Sequence, residues 1–258
     1  MEDVVCTLAL YFRCLEAYPI VVAANRDEHF DRPSAPPALI EGEPKIIAGK
    51  DLRAGGTWLG VNESGVMVGI LNRHINGDAL PATVARSRGA LCFELLQSDS
   101  ANAARQRIDG DRNRYNPFTI VFADKQNAYV AYNDDPKIIT QALQPGLHVF
   151  SSAVEFDLNS VKAERAHQRF AGLINPLSNN NKQPKEWLPA LQDILSDHSL
   201  SDGSNNPGDA ICVHRDASGT VSSSVIFLAQ AQSQFETFHC LGAPCRNAFD
   251  SEIRLKVR

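Results

Sequence analysis

Two short apolar runs open the chain, and a cluster of polar side chains follows the second run. Residues 4–12 and 19–24 have the composition of strands, and the short interval between them predicts that they pair as a hairpin. The sequence Asn-Arg-Asp-Glu follows directly at positions 25–28, where the second strand is predicted to end. An arginine beside two carboxylates is costly to desolvate unless each charge has a partner. The cluster therefore either forms internal ion pairs or faces a binding site.

Short strand-like runs continue along the chain, and helical patterns fill the gaps between them. Further predicted strands cover 57–61, 66–71, 118–123, 128–132, 147–150, 210–214, 221–229 and 235–241. Helical periodicity marks 88–96, 160–174 (with Ser160 as a candidate cap) and 186–195, while turn-forming residues mark 62–65 as a hairpin turn and 175–185 and 196–208 as loops. Successive strands with helices grouped between them predict an α+β fold of layered antiparallel sheets flanked by helices.

The composition favours one domain and argues against two function classes. A chain of 258 residues is long enough for a single large domain, predicted here to span 1–258. The net charge is -5 and the basic residues are scattered, so no nucleic-acid surface is predicted. The longest apolar runs fall far short of the ~20 residues that a membrane span needs. Glu2 and Asp3 stand where a secretory signal is basic, which predicts a cytoplasmic location, while the oligomeric state is left open.

The six cysteines do not form the pattern of a disulfide framework. They stand at positions 6, 14, 92, 212, 240 and 245, thinly spread over a long chain. Cys240 and Cys245, with His239 beside them, could supply part of a metal site. No second pair of cysteines or histidines has the spacing of a structural zinc site, so no metal is predicted.

Several motifs, in order along the chain, resemble those of a known family. The motifs occupy 6–8, 24–28, 32–33, 48–51, 55–62, 71–73, 87–89 and 115–118. Together they resemble the NRDE-motif family, whose eukaryotic members are called transport and Golgi organisation protein 2. The match is dense from Cys6 to about Phe122, and the later segments 212–214 and 219–224 resemble the family's carboxyl-terminal strand pair.

The resemblance implies both a fold and a reaction. The fold is a four-layer αββα sandwich of the amino-terminal-nucleophile hydrolase kind, similar to choloylglycine hydrolases and penicillin V acylases. In those relatives a cysteine at the mature amino terminus attacks a non-peptide carbon–nitrogen amide of a small molecule, and no cofactor is implied. A free α-amino group has a pKa of about 7.7 to 8.0, so a useful fraction is neutral at pH 7 and can accept the thiol proton.

The resemblance also assigns roles to individual residues. Cys6 is the implied nucleophile, Arg26 favours its thiolate, and Asp27 orients the thiol or the amine. Asn72 is placed like the family's oxyanion donor, a group worth about 2.7 to 4 kcal/mol at the transition state. The implied substrate-binding residues are Asn25, Glu28, Trp58 and Arg73.

Each catalytic assignment has a structural alternative. Cys6 in an apolar strand can be a small buried hydrophobic residue. Arg26 with Asp27 or Glu28 can be an ion-pair network that closes the fold. Asn72 can hydrogen-bond a turn, as asparagine does at strand ends. Both interpretations stand for every one of these residues.

Three departures from the family pattern bear on catalysis. The family usually begins Met-Cys, whereas five residues precede Cys6 here, so methionine removal alone does not expose it. Initiation at Val5 from a GTG codon would restore the family's beginning, and self-cleavage before Cys6 is a second route. Ser152 stands where relatives carry an asparagine and Val221 where they carry an arginine. A second oxyanion donor and a second pocket cation are therefore predicted to be missing.

A haem-binding function is the alternative that needs no nucleophile. Relatives in this family are linked to intracellular haem handling, and haem requires an axial histidine or cysteine beside an apolar slot. The candidate ligands are His29, His74, His214 and Cys245. A catalytically silent fold that acts in protein assembly is a third hypothesis.

Overall fold

Two antiparallel sheets form the centre of the computed structural model, which describes residues 6–73, 85–134, 137–151, 161–178, 183–200 and 204–258. The strands are β1 (Thr7–Phe12), β2 (Ile20–His29), β3 (Ser34–Ile40), β4 (Ile46–Asp51), β5 (Leu59–Asn62), β6 (Met67–Asn72), β7 (Phe118–Ala123), β8 (Ala128–Asp134), β9 (Lys137–Ala142), β10 (Gly146–Ser151), β11 (Ser218–Ala229), β12 (Gln234–Leu241) and β13 (Ser251–Lys256). The first sheet has the order β10-β1-β2-β11-β12-β13, and the second runs from β3 to β9 in chain order.

Helices cover the outer faces of both sheets. They are α1 (Arg88–Leu95), α2 (Ala101–Asp109), α3 (Val161–Ala171), α4 (Ile174–Ser178) and α5 (Pro184–Leu195). Ser87 and Ser100 begin α1 and α2 as caps, since each hydroxyl accepts a hydrogen bond from a backbone N–H three residues later. Among the described residues, no helix has the length and apolar character needed to cross a membrane.

Three apolar cores separate the four layers, which confirms the predicted αββα sandwich. The period of two along β2 explains how one strand serves two of them. Ile20 and Val22 belong to the core between the sheets, whereas Val21 and Ala23 belong to the core beneath α3 and α5. The third core lies between the second sheet and the pair α1 and α2.

The strand β2 is longer than predicted, which changes the setting of positions 25–28. The predicted hairpin is confirmed, because β1 pairs with β2 and places Thr7 opposite Asn25. The prediction that the strand ends at residue 24 is wrong, because β11 pairs along its other edge as far as Ser218 opposite His29. The cluster therefore lies inside a doubly paired strand, and its side chains must find partners on the two faces of the sheet.

One further predicted turn is confirmed, whereas one predicted strand and one predicted loop are wrong. The turn at 62–65 is confirmed, since the Asn62 N–H donates to the Val66 carbonyl and Gly65 has a φ of 88°. The strand predicted at 210–214 is wrong, because the Cys212 N–H donates to the Asp197 carbonyl instead of to a neighbouring strand. The loop predicted at 175–185 is wrong at both ends, because α4 and α5 enter it. Ser160 lies outside the described residues.

Candidate active site

Strand alternation divides the side chains at positions 25–28 between the two faces of the first sheet. Ala24 packs in the core between the sheets, and Ala23 packs in the core beneath α3 and α5. The even-numbered Arg26 and Glu28 therefore face the second sheet, while the odd-numbered residues 25 and 27 face the helices. All four residues are more than nine-tenths buried. The motif thus serves two separate environments.

On the helix side, Asn25 ties β2 to the segments that follow α5. Its Nδ2 atom donates to the Leu195 and Ile211 carbonyl oxygens, each at 2.8 Å, and its Oδ1 atom accepts from the Ser223 hydroxyl at 2.5 Å. A primary amide has two N–H donors, and both are used here. Asn25 was predicted to bind substrate, but its amide is fully engaged within the protein.

Asp27 forms a buried ion pair with Lys162, for which no role was predicted. The Lys162 Nζ atom lies 3.0 Å from Asp27 Oδ2, and each side chain is 1% exposed. The Thr220 hydroxyl donates to Asp27 Oδ1 at 2.6 Å. Removing one partner of such a pair leaves an uncompensated buried charge, so the two residues depend on each other. The Asp27 carboxylate is therefore fixed from two sides.

The sequence does contain a signal for Lys162. The buried side chains of α3 include Lys162, Ala166 and Phe170, which recur at every fourth position. A lysine within an apolar stripe is almost never buried unless it is paired. Its partner could not be identified locally, because Asp27 lies 135 positions away in the sequence.

On the inner side, Arg26 and Glu28 belong to an ion-pair network. The Arg26 guanidinium lies 4.5 Å from the centre of the Trp58 ring, a cation–π contact that joins the two sheets. The Oε2 atom of Glu28 lies 3.4 Å from a guanidinium nitrogen of Arg26 and 3.5 Å from one of Arg32. A second guanidinium nitrogen of Arg32 lies 2.7 Å from Asp51 Oδ2. These contacts are those expected of the structural alternative for Arg26, and they also fix the residue in place.

Cys6 lies just before β1, half-buried against the core between the sheets. Its Sγ atom is 3.4 Å from both the backbone nitrogen and the carbonyl oxygen of Asp27. Burial, followed by the charge of Asp27, raises the pKa of Cys6 to about 11. Arg26 and Lys162 lower this pKa, but by less than burial raises it. A base is therefore needed to remove the thiol proton at neutral pH.

Cys6 lines a cavity of about 460 Å³ between the two sheets. The cavity brings together the four predicted catalytic residues, because Arg26, Asp27 and Asn72 line it as well. Three of the predicted substrate-binding residues are also in its lining, namely Asn25, Glu28 and Trp58. Residues from β1, β2 and β6 thus converge on one space large enough for a small molecule.

Asn72 and Arg73 are neighbours in sequence with different surroundings. Asn72 is the last residue of β6 and lines the cavity. Arg73 is not among the described lining residues, although it was predicted to bind substrate. Its guanidinium lies 4.9 Å from the centre of the Tyr132 ring and donates to the Asn133 carbonyl at 3.4 Å. The structure therefore separates Arg73 from the other candidates.

A close backbone contact forms part of the cavity rim. Gly55 has a φ of 78°, and a Cβ atom on Gly56 would lie 2.4 Å from the backbone carbon of Gly89. The Thr57 N–H donates to the Gly89 carbonyl at 3.1 Å. Glycine at these positions lets the loop before β5 touch the start of α1.

Arg88, at the start of α1, is a further cavity residue for which no role was predicted. It donates to the Pro117 carbonyl at 2.8 Å. Burial, and then neighbouring Arg32, lowers the pKa of Arg88. The Glu28 charge partly offsets this and raises the pKa. Within the described part of the chain no carboxylate forms a salt bridge with Arg88, because the lining carboxylates Asp27, Glu28 and Asp51 pair with other cations. Arg88 is thus the lining guanidinium without a carboxylate partner among these residues.

Of the residues named in the departures above, Val221 lies within the described part of the chain. Val5 and Ser152 lie outside the described residues. Val221 stands at an irregular position of β11, where the pairing with β2 shifts between Thr220 and Ser222. It does not line the described part of the cavity.

Comparison with known proteins agrees with the motif pattern. A family model described as Transport and Golgi organisation 2 matches residues 5–238. The chain belongs to the Transport and Golgi organisation 2 family. The bovine and human homologs of that name are each 26% identical, and each alignment covers 82% of this chain and 83% of the homolog. A mouse homolog is 32% identical over 148 residues, which cover 54% of this chain and 52% of that protein.

Solved structures share the fold of this Transport and Golgi organisation 2 member. Penicillin V acylase from Agrobacterium tumefaciens has a TM-score of 0.59 at 14% identity, covering 90% of this chain and 82% of the acylase. A Caenorhabditis elegans ortholog of N-acylethanolamine-hydrolyzing acid amidase has a TM-score of 0.54 at 13% identity, covering 86% of this chain and 92% of the ortholog. A mutant conjugated bile acid hydrolase from Clostridium perfringens has a TM-score of 0.53 at 9% identity, covering 98% of this chain and 97% of the hydrolase. The fold is therefore that of the amino-terminal-nucleophile hydrolases.

Proposed function

We propose that this chain is a cysteine amidohydrolase that cleaves a non-peptide carbon–nitrogen amide of a small molecule, with Cys6 as its nucleophile. The observation that carries the proposal is the shared cavity of about 460 Å³, lined by Cys6, Arg26, Asp27 and Asn72. The names of the structurally similar proteins, an acylase, an amidase and a bile acid hydrolase, support the same reaction class. The chemistry requires that Cys6 become the first residue of the mature chain.

The reaction would proceed in two steps. The α-amino group of Cys6 accepts the thiol proton, the sulfur bonds to the amide carbon, and the carbonyl electron pair moves onto oxygen. Asn72 donates an N–H to this oxyanion. When the carbon–nitrogen bond breaks, the proton passes to the departing amine and a thioester remains. Water then attacks the thioester, which releases the carboxylic acid and returns a proton to the thiol.

The remaining residues would position this machinery. Asp27 contacts Cys6 through its backbone and is itself held by Lys162 and Thr220. Lys162 is therefore a positioning residue that acts through Asp27. Arg26, fixed by Trp58, places a positive charge beside the thiol.

The charges of the cavity support a substrate that carries an anionic group. Arg88 lines the cavity and has no carboxylate partner among the described residues. A guanidinium donates two parallel hydrogen bonds to a carboxylate. An amide substrate without a carboxylate has no such pair of acceptor oxygens. We expect Arg88→Met to raise KM for a carboxylate-bearing amide while leaving KM for its neutral analogue unchanged. An equal effect on both substrates would contradict this assignment.

The test of the proposed function compares four proteins on N-acyl amides of a chromogenic aromatic amine. They are a chain that begins at Cys6 after methionine removal, the chain with residues 1–5 retained, and the Cys6→Ala and Cys14→Ala variants of the first. Cys14 is a half-buried cysteine outside the cavity lining, so it is the matched control. We expect Cys6→Ala to lower kcat by at least about 1,000-fold, as loss of a nucleophile does, and Cys14→Ala to have no effect. Turnover that survives Cys6→Ala would refute the proposal.

The haem alternative has weaker support in the described residues. His214 and Cys245 were two of its candidate ligands, but the His214 Nε2 atom lies 3.3 Å from the Cys245 Sγ atom, too close for the two to bind opposite faces of one haem iron. His29 ends β2, and His74 lies outside the described residues. The cavity lining is rich in charged groups, unlike an apolar haem slot. A haemin titration tests the alternative, because binding of a protein side chain to the haem iron shifts the haem Soret band. An amidase that does not bind haem would leave this band unchanged.

A further inference from the structure

Two histidines and two cysteines, residue types that commonly bind metals, lie close together outside the cavity. His198 follows α5, Cys212 and His214 precede β11, and Cys245 lies between β12 and β13. One ligand atom from each residue lies within 4.8 Å of the other three. The pairing considered from the sequence is different, because Cys240 bonds to the Gly242 and Asn247 carbonyls and is not part of the cluster.

Three distances within the cluster are close to those of a tetrahedral site. The two Sγ atoms are 3.9 Å apart, and the His214 Nε2 atom lies 3.8 Å from Cys212 Sγ and 3.3 Å from Cys245 Sγ. With Zn–S bonds of about 2.3 Å and Zn–N bonds of about 2.0 to 2.1 Å, tetrahedral geometry places two sulfurs about 3.8 Å apart and a sulfur and a nitrogen about 3.6 Å apart. These three distances therefore differ from the tetrahedral values by about 0.1 to 0.3 Å. The His198 ligand atom lies within 4.8 Å of the other three and would move toward them on metal binding.

A hydrogen bond prepares His198 for such a role. Its Nδ1 atom lies 3.0 Å from the Cys212 carbonyl oxygen, and a carbonyl can only accept, so Nδ1 carries the proton. The Nε2 atom of His198 is then the unprotonated nitrogen and can bind a cation. Metal-binding histidines usually donate their second nitrogen to a carbonyl or carboxylate in this way.

We propose that His198, Cys212, His214 and Cys245 form a four-ligand Zn²⁺ site. Two thiolates and two imidazoles in tetrahedral arrangement suit zinc, and four protein ligands leave no open position, which is the pattern of a structural site. The metal would join three segments, namely the one after α5, the one before β11 and the one between β12 and β13. It is separate from the proposed amidase chemistry, and neither proposal depends on the other.

The site would stabilise the loop that contacts Asp27 through Thr220. The Val213 N–H, one residue after Cys212, donates to the Thr220 hydroxyl at 2.9 Å, and the same hydroxyl donates to Asp27 at 2.6 Å. A metal that holds residues 212 and 214 therefore fixes the loop against the strand pair β2 and β11. Its expected contribution is to stability, because metal binding to the folded chain adds to the free energy of folding.

The experiment measures zinc in the full chain, purified without an affinity tag under reducing conditions. We expect about one Zn²⁺ per chain by elemental mass spectrometry, retained on dialysis and removed by a strong chelator. Replacement by Co²⁺ is expected to produce a thiolate-to-metal absorption band and the intense visible bands of tetrahedral cobalt, both lost when Zn²⁺ is added back. The unmodified protein supplies this spectrum, so the test does not rely on any variant folding.

Matched variants locate the site. Cys245→Ser and His198→Ala are each expected to weaken Zn²⁺ affinity by about 100-fold or more, beyond the typical effect of losing an outer-shell partner. Cys245→His retains a ligand and is expected to keep stoichiometric zinc. Cys14→Ser, another half-buried cysteine, and His167→Ala, another exposed histidine, are the controls and should bind zinc normally.

Three outcomes would overturn the proposal. The first is a protein with zinc far below one per chain that shows no tetrahedral Co²⁺ spectrum. The second is equal zinc affinity in Cys245→Ser and in Cys14→Ser, which would place the metal elsewhere. The third is a Cys212–Cys245 disulfide in the reduced preparation with no bound metal, which would make the cluster a redox pair.

Discussion

At the level of single residues, Asp27 and Lys162 form an ion pair whose burial is costly in desolvation free energy. A carboxylate and an ammonium group are each 1% exposed, so both have lost their hydration and depend on their direct contact. On the same strand, Arg26 faces the opposite way and stacks on Trp58. The adjacent residues of one motif thus stabilise the two sides of a sheet by different interactions.

Removal of Lys162 is expected to destabilise the fold strongly. Lys162→Met fills a similar volume but leaves the Asp27 carboxylate buried without its cation, which costs about 3–5 kcal/mol of unfolding free energy. The control is Lys185→Met, which breaks an ion pair to Glu252 at a side chain that is 63% exposed, and should cost at most about 1 kcal/mol. Urea denaturation measures both. Equal losses would show that burial of the Asp27 pair is not what matters.

The reactivity of Cys6 is expected to depend steeply on pH in a chain that retains residues before it. Burial and Asp27 raise the pKa of Cys6 to about 11, so the neutral thiol dominates at pH 7. The thiolate fraction, and with it the rate of alkylation by iodoacetamide, should rise about tenfold per pH unit from pH 7 to 10. In the urea-denatured chain the rate should level off above the ordinary thiol pKa of about 8.5. Peptide mapping locates the label, and a plateau near pH 7 in the folded chain would be the contrary result.

At the level of elements, the contact between the loop before β5 and the start of α1 shapes the cavity rim. This contact exists because residues 56 and 89 are both glycine. Neither helical periodicity nor strand alternation reveals it, since the two residues belong to separate elements. Ser87 caps the same helix, so its position is set by a local hydrogen bond and by this backbone approach.

A single methyl group at Gly56 is expected to displace α1 from the rim. Its Cβ atom would lie 2.4 Å from the Gly89 backbone carbon, which cannot move independently of the helix. Gly56→Ala should lower the unfolding free energy by about 1–3 kcal/mol, the usual cost of overpacking. Gly42→Ala is the control, because its Cβ atom would meet its nearest neighbour at 3.6 Å. Thermal and urea unfolding compare the two, and equal stability of both variants would contradict the close approach.

Strands with strong apolar runs were predictable, whereas three of the four strands at the sheet edges were not. The predicted strand 118–123 has the bounds of β7, a fully buried strand. The missed strands β3, β9 and β13 stand at sheet edges, and β3 contains two prolines and several exposed side chains. The interior strand β4 was also missed, because its two isoleucines are followed by Ala-Gly-Lys-Asp, and glycine is unfavourable within a strand. The helix α2 was missed because two of its three buried residues are alanines, which give little apolar contrast.

For the whole molecule, the sandwich explains why residues of separate elements meet around Cys6 and Asp27. The motif resemblance predicted the four layers and the association of Cys6, Arg26, Asp27 and Asn72. It did not predict the role of Lys162, because its partner Asp27 lies 135 positions away in the sequence. It did not predict the cluster of His198, Cys212, His214 and Cys245 either, because these positions do not follow the spacing of a structural zinc site. Pairing of β2 with both β1 and β11 brings Cys6 and Thr220 next to Asp27.

The most direct test of the central claim is a search for the covalent intermediate on Cys6. A chain that begins at Cys6 is mixed with an excess of a chromogenic N-acyl amide, stopped with acid within the first turnover, and analysed by intact-protein and peptide mass spectrometry. The proposed mechanism predicts the mass of one acyl group on the amino-terminal cysteine, absent from Cys6→Ala and unchanged in Cys14→Ala. Acyl transfer to another residue, or amide cleavage by Cys6→Ala at the rate of the unsubstituted chain, would contradict it.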